Sequence, residues 1–325
     1  MAFCGRQYEL DLLRKELDSS HASLIAIYGR RRVGKTRLVK EAFAKKLWIF
    51  EGVEGLSTKQ QIKAVLKSLS DLTENSTYQY LSANNWFQVF EILHEVWQNH
   101  GKPVIFFDEV QWLANFRKPF ISIFKSFWEK YWSLDKKSVI VFCGSVSSFM
   151  TTNIIQSSAL YQRITSVIHL EPLSILEVKE FFRDKKRHYL DILDLYMCIG
   201  GIPKYWEFVD PNKSSEQNIN ELFFMKDAKL LKEYELLFHS NFKNKINYQE
   251  IVEFLYKNPS SSYKEIAQKT RLSTGGRLTK LLEDLEKAGF IEKITSVDSS
   301  DESKKTKFRL LDEYVLFYLK FVKAN

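Results

Sequence analysis

The sequence predicts an α/β fold in its first half, a parallel sheet flanked by helices, followed by a helical segment and then a winged helix-turn-helix. Three observations predict it. Up to about Glu171, short apolar runs alternate with amphipathic stretches, the rhythm of strands joined by crossover helices. The run Ser23–Glu41, SLIAIYGRRRVGKTRLVKE, passes from an apolar strand through a glycine-bounded loop into a helix. From Ser174 the strand rhythm stops, and Ser174 with Glu177 three residues on forms a capping box that opens a helix.

The expected strands are Leu24–Tyr28, Trp48–Val53, Val104–Phe107, Val139–Cys143 and Val167–Leu170. Each is a short, β-branched or aromatic run of the kind that a parallel sheet buries on both faces. Between them, apolar residues recur at helical spacing over Lys35–Lys46, Thr58–Leu69, Trp86–Asn99 and Phe120–Trp132, while the polar stretch Asp71–Asn85 reads as a loop. Helical segments then run to about Phe242. The expected organisation is therefore a core over residues 1–172, a helical subdomain over 173–242 and a helix-turn-helix over 243–325.

Composition narrows the function classes. The chain has 325 residues, is 45% hydrophobic and 27% charged, and carries 48 Lys and Arg against 40 Asp and Glu. This is a globular profile, and the net charge of +8 permits nucleic-acid binding without requiring it. Cys4, Cys143 and Cys198 are scattered without metal-ligand spacing, so free thiols in a reducing compartment are expected. The start MAFCGRQYEL lacks the pattern of a secretory leader, and no apolar run approaches the length of a membrane span. The expectation is a cytoplasmic protein without a membrane partner.

The chemistry begins at Gly29. Gly29, Gly34, Lys35 and Thr36 fit G-x-x-x-x-G-K-[ST], the phosphate-binding loop of nucleoside triphosphatases. The glycines let the backbone turn its N–H groups around phosphate oxygens. Lys35 supplies a compact positive charge for the β/γ phosphates, and Thr36 offers a hydroxyl to Mg²⁺. The strand before and the helix after place the loop at a helix N-terminus, which favours anions. The whole stretch Gly29, Arg30, Arg31, Arg32, Val33, Gly34, Lys35, Thr36 and Arg37 is expected to line the nucleotide. Arg30, Arg31 and Arg32 suit anchoring the loop or facing a partner better than chemistry. Downstream, VIFFDEV puts Asp108 at the end of a buried strand, where it would hold Mg²⁺ through water. Glu109 beside it is placed to polarise the attacking water. The next strand ends at Ser145, within expected reach of the γ-phosphate or the lytic water.

Six segments in fixed order carry a resemblance. GRQYEL, YGRRRVGKTRLV, FFDEVQWL, FCGSVSSFM, LYQRIT and CIGGIPKYW resemble the archaeal-type ATPases, a prokaryotic group of the STAND branch of AAA-like P-loop NTPases, over residues 3 to about 210. The resemblance implies a five-stranded ATPase core, a helical lid and a winged helix, with ATP rather than GTP as nucleotide. It implies that Gly5, Arg6 and Glu9 pack near the adenine, and that Gly201 and Pro203 let the lid sense the base. It also implies that Arg163 contacts the γ-phosphate, from its own chain or as a finger to a neighbour.

At the carboxy-terminal end, YQEIVEFLYKN, SYKEIAQKT and STGGRLTKLLEDLEKAGFI read as the three helices of a winged helix, with KTKFRLL as a wing strand. In such domains the third helix enters the major groove, which would present Ser273, Thr274, Arg277 and Lys280 to duplex DNA. Lys304, Lys305 and Lys307 would reach phosphates from the wing. Residues 245–325 carry 15 Lys and Arg against 12 Asp and Glu, less basic than a strong DNA binder, which leaves a protein partner as the alternative. LLDEYVLFYLKFV resembles the entry to a nuclease-like domain found after this point in the family, and no nuclease activity is expected of this chain. The sequence leads to an Mg²⁺-dependent ATPase whose turnover moves a winged helix associated with DNA, or to a slow nucleotide switch whose winged helix binds protein.

Overall fold

A computed structural model describes residues 3–183, 187–241, 245–270, 272, 275–295 and 306–323. The chain forms two compact units. One comprises Arg6–Gly29 and Lys35–Leu170; the other comprises Glu171–Asn325 together with Met1–Gly5 and Arg30–Gly34.

The first unit is built on a five-stranded parallel sheet of order β2-β3-β4-β1-β5. The strands are β1 (Ser23–Tyr28), β2 (Leu47–Glu51), β3 (Val104–Asp108), β4 (Val139–Gly144) and β5 (Ser166–His169). Around it run α1 (Gln7–Leu17), α2 (Lys35–Phe43), α3 (Thr58–Thr73), α4 (Trp86–Asn99), α5 (Val110–Leu113), α6 (Lys118–Lys130) and α7 (Ser147–Phe149). All five expected strands form, each within one or two residues of its predicted ends.

The differences have local causes. β2 stops at Glu51 rather than Val53 because the buried Gln61 side chain takes both backbone groups of Val53: its Oε1 accepts from Val53 N at 3.1 Å and its Nε2 donates to Val53 O at 2.6 Å. α6 begins before Phe120 because Pro119 suits the first helical turn, and Trp132 falls in a separate turn after it. α2 ends at Phe43, before Ala44 at φ 38°. An aromatic cluster fills one side of the sheet: Phe90 meets Phe107, Phe120, Phe124 and Trp132 with ring centroids 5.6–6.1 Å apart. Buried rings of this size supply much of a core's apolar burial.

The second unit is mainly helical: α8 (Ile175–Glu180), α9 (Tyr189–Ile199), α10 (Pro203–Trp206), α11 (Ser215–Phe223) and α12 (Glu233–Asn241). The Ser174–Glu177 capping box forms as predicted, with Glu177 N donating to Ser174 Oγ at 3.3 Å. The winged helix follows as α13 (Lys245–Lys257), β6 (Ser261–Ser262), α14 (Tyr263–Lys269), α15 (Gly276–Lys287), β7 (Ile291–Thr295) and β8 (Thr306–Leu310), then α16 (Glu313–Phe317). β8 pairs antiparallel with both β6 and β7, the expected wing. One continuous core of buried side chains runs from Leu173 to Leu319.

Candidate active site

β4 lies between β1 and β3, so the carboxyl ends of three adjacent strands deliver Gly29, Ser145 and the Asp108–Glu109 pair to one edge of the sheet. That edge is where open α/β sheets bind ligands. Gly29, at φ 150°, leaves β1 past the Leu170 backbone; a Cβ here would lie 2.3 Å from Leu170 O. Only glycine lets the chain turn into the loop at this point. Lys35 is buried and its Nζ donates to Gly29 O at 2.9 Å, closing the loop on itself. Thr36 Oγ1 donates to Asp108 Oδ2 at 2.6 Å, joining the two halves of the site across 72 residues.

Asp108 is buried, and burial is the main influence on its carboxyl, pushing its pKa up. The Thr36 hydrogen bond opposes that rise and the neighbouring Glu109 adds to it. Asp108 Oδ1 accepts from Glu109 N at 2.9 Å. This bond holds Glu109 in the left-handed region at φ 48°, ψ 48°, an uncommon conformation for a residue with a side chain and one that clusters at functional sites. The turned Glu109 aims Oε2 at Ser145, whose Oγ donates at 2.7 Å and whose N donates at 3.3 Å. Gln111 Nε2 donates to the same Oε2 and, at 3.3 Å, to Ser145 Oγ. Two strand ends thus tie down one carboxylate.

Two participants escaped the sequence reading. Gln111 is fully buried, and its Oε1 has no hydrogen-bond partner. Its only sequence signal is a polar residue within an otherwise apolar turn after Asp108–Glu109. Glu51 ends β2 in register with Asp108. Burial and then the Asp108 and Glu109 charges push its carboxyl up, with Lys40 opposing.

The other predicted residues distribute as follows. Ser145 is placed against Glu109. Arg163 lies three residues before Ser166, which is level with Ile25, and Thr165 N donates to Leu24 O at 2.8 Å. It therefore stands at the amino-terminal edge of the sheet, and most of β1, at about 3.3 Å per residue, separates that level from Gly29. There Arg163 Nε donates to Glu129 Oε1 at 2.8 Å. The expectation that it reaches a γ-phosphate on its own chain is not met, because the parallel register fixes it at the opposite edge. Arg6 is buried at φ 65°, with Nη1 3.5 Å from Glu9 Oε1. Gly5 N donates to Glu180 Oε2 at 3.0 Å. Arg30 is buried and pairs with Asp312, Arg32 pairs with Glu233, and Arg31 and Arg37 are exposed. Val33 is buried, and Pro203 Cγ lies 3.8 Å from where a Cβ of Gly34 would stand.

On α15, Arg277 and Lys280 are exposed, while Leu278, Leu281, Leu282 and Leu285 are buried beneath them. Ser273, Thr274, Lys304 and Lys305 lie outside the described residues; Lys307 is exposed on β8. No helix among the described residues is long and apolar enough to cross a membrane.

Known proteins show the same two parts. Residues 3–209 match the model of an ATPase domain predominantly from Archaea, and residues 249–292 match a winged helix-turn-helix DNA-binding family. An uncharacterized protein of Methanocaldococcus jannaschii is 26% identical over 332 residues, covering 99% of this chain and 69% of its own length. A second, an uncharacterized ATP-binding protein of the same organism, is 46% identical over 44 residues, covering 14% of this chain and 75% of its own length. Among solved structures, the Walker-type ATPase of Pyrococcus abyssi superposes with a TM-score of 0.65 at 19% identity, covering 98% of this chain and 96% of that one. The ORC2 protein of Aeropyrum pernix superposes with a TM-score of 0.60 at 14% identity, covering 97% and 92%. These two share the fold. Since the match extends over well more than half of the chain and the loop, lysine and acidic pair come together in the structure, the protein belongs to the family of ATPase domains predominantly from Archaea and is an ATPase joined to a winged helix-turn-helix.

Proposed function

We propose that the protein hydrolyses ATP with Mg²⁺ and couples turnover to a rearrangement of its winged helix, which engages duplex DNA. The observation that carries this reading is the Thr36–Asp108 hydrogen bond beside a tethered Glu109. In this reading the N–H groups of loop 29–37 and Lys35 bind the phosphates, and Glu109 orients the attacking water and takes up its proton. Ser145 and Gln111 hold the Glu109 carboxylate in place. Gly5, Arg6 and Pro203 serve the adenine side. Residues 1–172, 173–242 and 243–325 act as core, lid and winged helix.

The metal has fitting ligands. Thr36 and Asp108 offer a hydroxyl and a carboxylate oxygen 2.6 Å apart, a hard donor pair suited to Mg²⁺. Among the described residues no group of three or more His, Cys, Asp or Glu could hold a metal ion. In this reading phosphate oxygens and water would complete the coordination, as is usual for Mg²⁺. When bound, Mg²⁺ neutralises charge that develops on the phosphates.

A second reading is favoured by one observation, the near balance of charge over residues 245–325, which suits a protein partner. ATPase turnover with and without duplex DNA, at low and moderate salt, separates the two. Stimulation by DNA that fades with salt supports the first reading. Tight nucleotide retention, slow turnover and indifference to DNA support the second.

A further inference from the structure

The three consecutive arginines of the phosphate loop do not behave alike. Arg31 is exposed, whereas Arg30 and Arg32 each meet a buried carboxylate. Arg30 is 3% exposed; its Nη1 donates to Asp312 Oδ2 and its guanidinium lies over the Phe290 ring, 4.4 Å from the centroid. Arg32, at φ 69°, donates through Nη1 to Glu233 Oε2. All of these residues lie in the second compact unit, to which Arg30–Gly34 belong.

Each carboxylate also has a second task. Asp312 Oδ1 accepts from Val315 N at 2.7 Å, which makes Asp312 the N-cap of α16. Glu233 Oε1 accepts from Tyr205 OH at 2.9 Å, on the short α10 that Pro203 opens. The arms meet, for Tyr205 packs on Tyr314 of α16 at 5.4 Å between ring centroids. One oxygen of each acid thus holds a loop arginine while the other holds an element of the helical unit. A buried ion pair brings little net stability, because desolvation offsets the attraction; its value lies in fixing one arrangement.

We propose that Asp312 and Glu233 are positioning residues for the phosphate loop, so that nucleotide binding at the loop and the order of the first turn of α16 form one coupled equilibrium. The proposal rests on the nucleotide reading above. Linkage requires the effect to run both ways: what phosphates do to the loop is felt at the cap of α16, and what is done to the cap is felt in nucleotide affinity. Coupling of ordinary strength corresponds to about fivefold or more in affinity.

The test uses the full chain, with Mg·ADP and a fluorescent ADP analogue as probes. Asp312→Asn is the informative variant, since asparagine caps a helix as well as aspartate does but no longer carries the charge that holds Arg30. Wild type is expected to change its amide exchange at Val315–Phe317 when ADP binds. Asp312→Asn is expected to lose that change and to bind ADP about fivefold or more weakly. Because the variant leaves Arg30 buried without its counter-charge, Arg30→Met combined with Asp312→Asn serves as a second variant without either charge; it too is expected to bind ADP without altering exchange at Val315. If either folded variant keeps wild-type ADP affinity and the wild-type exchange response, or loses only thermal stability, the proposal is overturned. If wild type binds the analogue no better than Lys35→Ala, the nucleotide reading itself fails and takes the proposal with it.

Discussion

The carboxyl end of the parallel sheet and the exposed face of α15 both present polar side chains on regular elements, and they do so at opposite energetic extremes. At the sheet edge, Lys35, Asp108, Gln111 and Ser145 are buried and bonded within the site: Lys35 to Gly29 O, Asp108 to Thr36, and Gln111 and Ser145 to each other and to Glu109. On α15, Arg277, Thr279 and Lys280 face solvent above a leucine row. Burying a polar group is costly unless it is paired, so a buried polar cluster over strand ends signals a requirement that packing alone would not create. An exposed lysine or arginine on an amphipathic helix costs nothing and is that helix's ordinary outer face. The first region therefore identifies itself by its geometry. The second is identified by the family it matches, and its ligand has to be found by experiment.

The sharpest way to break this contrast is to alter the cluster without disturbing its shape. Glu109→Gln keeps the volume and one acceptor for Ser145, so fold and ATP binding should persist while single-turnover hydrolysis falls by about 10²–10⁴, the usual worth of a general base. Hydrolysis at the wild-type rate would remove Glu109 from that role. Lys35→Ala should cost about 10²–10³ in turnover and, unlike Glu109→Gln, should also weaken binding of the fluorescent nucleotide.

Two further variants sharpen the contrast. A Cβ at Gly144 would lie 2.7 Å from both Gln111 Oε1 and Met150 Sδ, two fully buried side chains with little room to retreat. Gly144→Ala should therefore destabilise the chain by about 1–3 kcal/mol, seen as a lower melting temperature, and should slow turnover by displacing Gln111 from Glu109. Arg277→Ala and Lys280→Ala should each leave thermal stability within about 0.5 kcal/mol of wild type. If α15 contacts phosphates, each should weaken DNA binding several-fold and flatten its salt dependence by about one unit of slope. A change in melting temperature without a change in DNA affinity would show that α15 is a structural or protein-binding face.

Legibility followed the same division. The strands were readable because a parallel sheet buries both faces and leaves continuous apolar runs such as Val104–Phe107. The loop, Asp108 and Glu109 stood out because the phosphate-loop pattern fixes residue types at fixed spacing, and the fold brings them to one edge of the sheet. What the sequence withheld was set by tertiary partners. Gln61 ends β2 by bonding Val53 from another element. Gln111 joins the site only because the left-handed turn at Glu109 folds it back. Arg163 sits at the far edge because the pairing of Ser166 with Ile25 fixes the register of β5, and one-dimensional spacing carries no information about register.

Glu51 gives the smallest and most discriminating effect. It ends β2 level with Asp108, and burial together with the Asp108 and Glu109 charges raises its pKa. A carboxyl raised in the fold favours the folded state below its unfolded pKa, and this advantage is lost as pH rises through the folded value. Near neutral pH the ionised Glu51 therefore works against the fold, weakly, because solvent screens a side chain this exposed. Glu51→Gln should raise the melting temperature of the nucleotide-free protein at pH 7 by about a degree or less, with no gain well below the ordinary Glu value of about 4.3, where Glu51 is protonated both folded and unfolded. Adding Mg·ADP should shrink the difference, because a cation held at Thr36 and Asp108 would screen the repulsion that the substitution removes. An equal gain at both pH values, or one indifferent to Mg·ADP, would mean that Glu51 acts through packing rather than through its charge.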